Sequence, residues 1–463
     1  MEQNKLSNDT ISVSNFINTK YRSYWEYSNK NGKNAISPKE QLPEVVRKII
    51  YAAYQLNMKD REERKTVELS GETAKYHAHG DSSIQDSIKG VATAYKSQPA
   101  TRLLRGIGNF GYAPGDDGAA ARYTSIERTP LLATIFKDIP FMPFNTDDTG
   151  LEQPEYISTP LPLTLINGAS QIGTGKSCYV AERDAKEVIK WIDELNKANW
   201  KEDGIEEPKP MSVTGCKTWF EPSNGYIYYE ANVHYAVDIN DLNKRGKYDV
   251  ITALPPKSNA MNTISKLINK LPTRVSKHVI DGSGKGRSVY IILPTGYLND
   301  ADFNKYGMRS ARKEQIYIWD YELNTMRFAS LTDVAHLWFE DRCKIVTKRL
   351  SKQVTDLESI NKRIDLIKEF AENKMINWKS EDVIAHFVKL AGDQEEGEKD
   401  ASIVLSQSAR TFLPENLDKN SILKEKNIKE IKNLNKRIKN VGDEVIKEAY
   451  EIIEAQEKFF NED

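Results

Sequence analysis

Cysteine is scarce. The chain has three cysteines in 463 residues, Cys178, Cys216 and Cys343, far apart and odd in number. That pattern excludes a disulfide framework and a CxxC metal site, and it fits a reducing compartment. Long apolar runs are also lacking, and none reaches the length of a membrane span. The opening MEQNKLSNDT has neither the basic nor the apolar region of a secretory signal. Together these absences predict a soluble, cytoplasmic protein with no membrane partner. An excess of one charge is missing too, with 66 basic against 67 acidic residues. A uniformly basic nucleic-acid coat is thereby disfavoured, whereas a local basic groove is not.

What is present is enough apolar composition, 39%, for the cores of several domains, and enough charge, 29%, for long solvated helices. The most distinctive stretch is 108–124, GNFGYAPGDDGAAARYT. Its glycines permit tight turns and close approach of another molecule. Three alanines then leave little bulk around Arg122 and Tyr123. A guanidinium offers phosphate a planar fork of donors, and a tyrosine hydroxyl can act as a covalent nucleophile. Taken alone, Tyr123 is one of 22 tyrosines, most of which serve as amphipathic packing residues. Upstream lies YHAHGDSS, residues 76–83, in which His77 and His79 alternate. A zinc site would need two more ligands nearby, so a structural or a phosphate-contacting role stays open for both. Ser82 or Ser83 is placed to cap a helix whose buried stripe is Ile84, Ile88 and Val91. An earlier helix is expected after Pro43, from the spacing of Val45, Val46, Ile49, Ile50 and Ala53. Arg47 and Lys48 fall between them as a charged edge.

Residues 161–180, LPLTLINGASQIGTGKSCYV, nearly match the phosphate-binding loop GxxxxGK[ST]. Ser170 stands where its first glycine belongs, and no apolar strand ends in a Walker-B aspartate. If it were such a loop, Lys176 would reach the phosphates. Residues 210–330 alternate strand-like runs (YIYYEANV, DVITALP, SVYIILP, QIYIWDY) with one helix, NTISKLINKL. From residue 331 the pattern is helical and highly charged. One seam runs from Val346 to Ile367 and a second from Ile428 to Ile452, as in a helical hairpin that dimerises.

In their order and spacing YHAHGDSS, GNFG and AAARYT resemble the breakage-reunion (A-type) subunit of type IIA DNA topoisomerases, the family of the A-type subunits of gyrase and topoisomerase IV. The resemblance implies an α+β multidomain fold. It divides into an N-terminal arm (1–40), a winged-helix DNA cleavage domain (41–160), an α/β tower (161–330) and a long antiparallel coiled coil (331–463) with a helical gate at about 374–420. It implies that Tyr123 forms a transient 5′-phosphotyrosyl bond, assisted by Arg122 and His79. Arg47, Lys48, His77, Gly80, Ser82 and Ser83 are then DNA contacts, and Ile172 on an NGxxxI loop wedges between base pairs. Pro43 and Gln171 depart from the family pattern, in which a lysine and a glycine stand. By the same resemblance Ser82 and Asp86 form a quinolone anchor. No metal is expected on this chain; Mg²⁺ and ATP both belong to a separate ATPase/Toprim (B-type) subunit. The other implied partners are double-stranded DNA and a second copy of the chain. The absence of a DNA-wrapping β-propeller resembles the medium subunit of bacteriophage type II topoisomerases and favours relaxation or decatenation over supercoiling. Two alternatives stay open: an inert DNA-binding coiled-coil dimer, and a P-loop nucleotide hydrolase using 170–177.

Overall fold

The computed structural model describes residues 12–30, 35–77, 80–93, 97–111, 118–146, 150–173, 176–283, 289–321 and 323–462. The chain forms two compact units. One comprises Met1–Arg342 with Val445–Asp463, and the other is Cys343–Glu444.

In the first unit, helix α1 spans Glu44–Gln55 and follows Pro43, whose φ of −63° suits a helix entry. It buries Val46, Ile49, Ile50 and Ala53, as the apolar spacing predicts, but also Arg47 and Lys48. The expected solvated edge is therefore an interior one. Strand β1 (Arg64–Lys65) leads into helix α2, Thr66–Ala74, which no sequence pattern had announced. Its buried face is Thr66, Leu69, Ser70 and Thr73, with a single large apolar side chain to betray it. Helix α3, Asp81–Ala92, buries Ile84, Ile88 and Ala92. Gly80 is its N-cap, so Ser82 and Ser83 lie inside the first turn rather than capping it.

Strands β2 (Leu104–Ile107) and β3 (Ser125–Arg128) complete a three-stranded antiparallel sheet in the order β1-β3-β2. Helix α4, Pro130–Asp138, starts where Thr129 accepts a hydrogen bond from the Leu132 N–H at 3.3 Å, with proline in its first turn.

After a short helix, Leu163–Asn167, strands β4 (Ala169–Gly173) and β5 (Lys176–Val180) pair as a hairpin. This overturns the P-loop reading of 170–177. A phosphate-binding loop runs from a strand into a helix N-terminus, whereas Lys176 opens a strand and lies 4.7 Å from the Tyr317 ring. The next helix does not begin until Ala185. Residues 210–330 hold antiparallel sheets of three and five strands, with the expected helix at Ala260–Lys270. That helix packs Ile264 and Leu267 against Ile251, Ile291 and Leu293 of the larger sheet.

Helix α5, Leu331–Glu372, continues into the second unit. There it runs antiparallel to α6, Pro414–Lys439, since Asn361 pairs with Asn427 while Asp365 pairs with the earlier Lys424. Between them, helices Ser380–Ala391 and Gln394–Leu405 enclose a core of Phe370, Met375, Val383, Phe387 and Val404. The expected second seam is two helices. It breaks at Asn440 (φ −113°, ψ 43°), after which α7 spans Val441–Asn461. The buried Asn361–Asn427 side-chain bond, 2.9 Å long, sets the register on α6 and leaves Ile428 52% exposed.

Among the described residues no helix is long and apolar enough to cross a membrane.

Candidate active site

The site is built on the β2–β3 hairpin. Beyond β2 the chain turns at Gly108, φ +100°. The Asn109 side chain accepts from the Gly111 N–H at 2.9 Å, and its carbonyl accepts from the Ala119 N–H at 2.8 Å. Gly118 sits at φ +65°, where a Cβ would come within 2.6 Å of the Gly111 nitrogen. Glycine is thus required to close this loop. Residues 112–117 lie outside the described residues.

The chain returns through one 3₁₀ turn, Ala121–Tyr123, with the Tyr123 N–H donating to the Ala120 carbonyl at 2.9 Å. Ala121 and Thr124 are buried, and between them Arg122 and Tyr123 face solvent, Tyr123 at 69%. The Arg122 guanidinium lies 4.9 Å from the centre of the Tyr123 ring. A phenol and a cation are thereby fixed side by side in the open, at the start of a strand held on both sides.

Helix α3 presents its first turn outward, with Gly80, Asp81, Ser82 and Ser83 exposed. A helix N-terminus of this length offers free N–H groups suited to phosphate. Gly80 has an ordinary φ of −62°, and a Cβ there would meet nothing within 4 Å. Asp86 is exposed one turn beyond Ser82. His77 is buried, and His79 lies outside the described residues. Ile172 is the penultimate residue of β4, paired with Ser177 near the hairpin tip.

The two basic residues of α1, expected as DNA contacts, are enclosed and paired within the chain. Arg47 pairs with Glu40 at 3.0 Å and donates to the Glu155 carbonyl; Lys48 pairs with Glu44 at 3.0 Å. A charge on an enclosed helix must be paired to stay. Burial pushes the Glu40 carboxyl up to about 7, against the pull of Arg47.

The hairpin is also held from far along the chain, a feature with no signal in the sequence. The fully buried Gln456 of α7 donates to the carbonyls of Pro99 and Arg102 at 3.2 and 2.9 Å, and accepts from the Leu131 N–H at 3.5 Å. Beside it, Arg102 and Arg105 lie over the rings of Phe460 and Phe459 at 4.3 and 4.7 Å. Deeper still, Arg342 is enclosed between Asp138 at 2.6 Å and Glu448 at 2.8 Å. Among the described residues no group of three or more His, Cys, Asp or Glu could hold a metal ion.

The sequence profile of the DNA gyrase/topoisomerase IV A subunits matches residues 42–456, most of the chain, with the Tyr123 turn and the start of α3 inside it. The chain belongs to this family. It is similar to the DNA gyrase A subunit of Thermotoga maritima, 27% identical over 340 residues, covering 67% of this chain and 41% of that protein. It is similar to the DNA topoisomerase 4 A subunit of Mycoplasma pneumoniae, 29% identical over 292 residues, covering 56% and 35%. It is also similar to mouse DNA topoisomerase 2-alpha, 33% identical over 209 residues, covering 42% and 13%. The chain thus spans less than half the length of these topoisomerase relatives.

Proposed function

We propose that this chain is the DNA cleavage and religation subunit of a type IIA topoisomerase, with Tyr123 as nucleophile. The observation that carries the reading is the turn Ala121–Tyr123, which holds an exposed phenol against an exposed guanidinium in a chain of the gyrase/topoisomerase IV family. The Tyr123 Oη gives up its proton and attacks a backbone phosphorus, forming a 5′-phosphotyrosyl ester as the P–O3′ bond breaks and the 3′-oxygen leaves, taking up a proton. Religation is the reverse. Arg122 neutralises charge gathering on the phosphoryl oxygens, with His79 acting at the same phosphate. Gly80, Ser82 and Ser83 receive the DNA backbone at the first turn of α3, joined by His77 just before it. The open space at Gly80 supports this, since nothing among the described residues requires a glycine there. Ile172 wedges into a base step to hold DNA bent.

In this reading the α1–α4 region is a winged-helix domain, residues 161–330 a tower, and α5 with α6 a coiled coil ending in a gate. The working enzyme is a cytoplasmic homodimer joined to an ATPase/Toprim subunit that carries Mg²⁺ and ATP, and it relaxes or decatenates DNA. The deciding experiment is covalent trapping by detergent denaturation of the chain, co-expressed with its ATPase/Toprim partner, on 3′-end-labelled duplex DNA. Labelled adduct that vanishes in Tyr123→Phe is expected. Wild type without adduct would leave a DNA-binding dimer without cleavage.

A further inference from the structure

Thr66 and Thr124 are both completely buried, and their hydroxyl oxygens lie 2.8 Å apart across 58 residues of sequence. Thr124 follows Tyr123 directly. Its hydroxyl also lies 3.4 Å from the Ala121 carbonyl, so that when it donates there its lone pair accepts from Thr66. The Thr66 N–H also donates to the Thr124 carbonyl at 3.1 Å, continuing the ladder in which Lys65 pairs with Ser125. Ala121 and Thr124 are the two ends of the turn from which Arg122 and Tyr123 project. Thr66 therefore grips, through one hydrogen-bonded chain, both ends of that turn. It is also the first residue of α2, the helix preceding the DNA-facing start of α3.

We propose that Thr66 is a positioning residue for the nucleophile, fixing the Tyr123 turn relative to the helices that receive DNA. This rests on the cleavage function proposed above. Tyr123 is 69% exposed and has no side-chain hydrogen bond among the described residues, so its aim depends on the backbone of its turn. A displacement of about 1 Å in a reacting group can cost a hundredfold in rate. The Thr66 hydroxyl is well placed to prevent one.

The test uses the chain with its ATPase/Toprim partner and compares Thr66→Val, Thr66→Ser and wild type. It measures the rate of covalent adduct formation at saturating DNA, the DNA affinity and the melting temperature. Thr66→Val keeps the shape and removes the donor, so the adduct rate should fall roughly tenfold with DNA affinity unchanged. Thr66→Ser restores the hydroxyl and should return the rate close to wild type. Thr124→Val breaks the same bond from the other side and should reproduce the slowing if Thr66→Val fails to fold. Full-rate cleavage by Thr66→Val overturns the proposal, as does equal slowing in Thr66→Val and Thr66→Ser, which would place the effect in packing. Neither result touches the assignment of Tyr123. Adduct formation by Tyr123→Phe, or none by wild type, overturns the cleavage reading itself.

Discussion

Two short basic segments, Arg47-Lys48 on α1 and Arg122 beside Tyr123, look alike as sequence and are treated oppositely by the fold. On α1 the helix is enclosed, so both cations turn inward and meet Glu40 and Glu44 at 3.0 Å. On the hairpin, Ala121 and Thr124 are the buried anchors, and the two residues between them must project outward. A basic residue is thus exposed when its neighbours are the anchors, and enclosed when its own helix is.

The largest effect that would sharpen this contrast is at the exposed end. Tyr123→Phe should abolish the covalent adduct while leaving melting temperature and DNA affinity unchanged, because only a solvent-facing hydroxyl is lost. At the buried end, Arg47→Ala leaves the Glu40 carboxyl enclosed without its cation and should cost about 3 kcal/mol of stability, read by chemical denaturation. Unchanged stability with weakened DNA binding would reverse the comparison, making Arg47 the DNA contact. Arg122→Ala should do the opposite of Arg47→Ala, keeping stability and slowing cleavage by roughly a hundredfold or more.

A smaller effect follows from Glu40, whose carboxyl is raised from 4.5 to about 7 by burial, the Arg47 charge opposing. The folded state then holds a proton that the unfolded state has released, so stability falls as pH rises through this window. Wild type should lose about 2 kcal/mol relative to Glu40→Gln between about pH 5 and pH 7, and parallel melting curves would contradict that. The smallest effect is expected at the β4–β5 hairpin. Ile172→Ala should reduce the DNA bend seen by fluorescence transfer, by roughly 1 kcal/mol of bending free energy, while Lys176→Ala leaves it intact.

Much of this was legible in the sequence where one periodicity or one unusual composition dominated. The apolar spacing of α1, the strand runs of 210–330 and the small-residue frame around Tyr123 all announce themselves locally. Helix α2 did not, because its buried face is mostly Thr and Ser, which carry no apolar period. The loop SQIGTGKS left two readings open for a related reason: its glycines and lysine fit two backbones, and only the pairing of Ser170 with Tyr179 and Gln171 with Cys178 decides between them. The Thr66–Thr124 and Gln456 contacts were invisible because their partners lie 58 and 325 to 357 residues away.

Gln456 has a consequence for how the molecule is made. The carbonyls of Pro99 and Arg102, which also accept locally from the Arg102 N–H and the Thr129 hydroxyl, and the N–H of Leu131 gain a partner on a helix some 325 to 357 residues later. As the polypeptide leaves the ribosome, the hairpin bearing Tyr123 must wait, its root incompletely bonded, while the whole of the second unit is synthesised. That unit interrupts the first and draws its core from residues 366–404, so it has what it needs to close earlier. Assembly of the first unit is then a late event of high contact order, finished only when α7 docks. The segment that supplies no chemistry is the one whose arrival completes the scaffold for it.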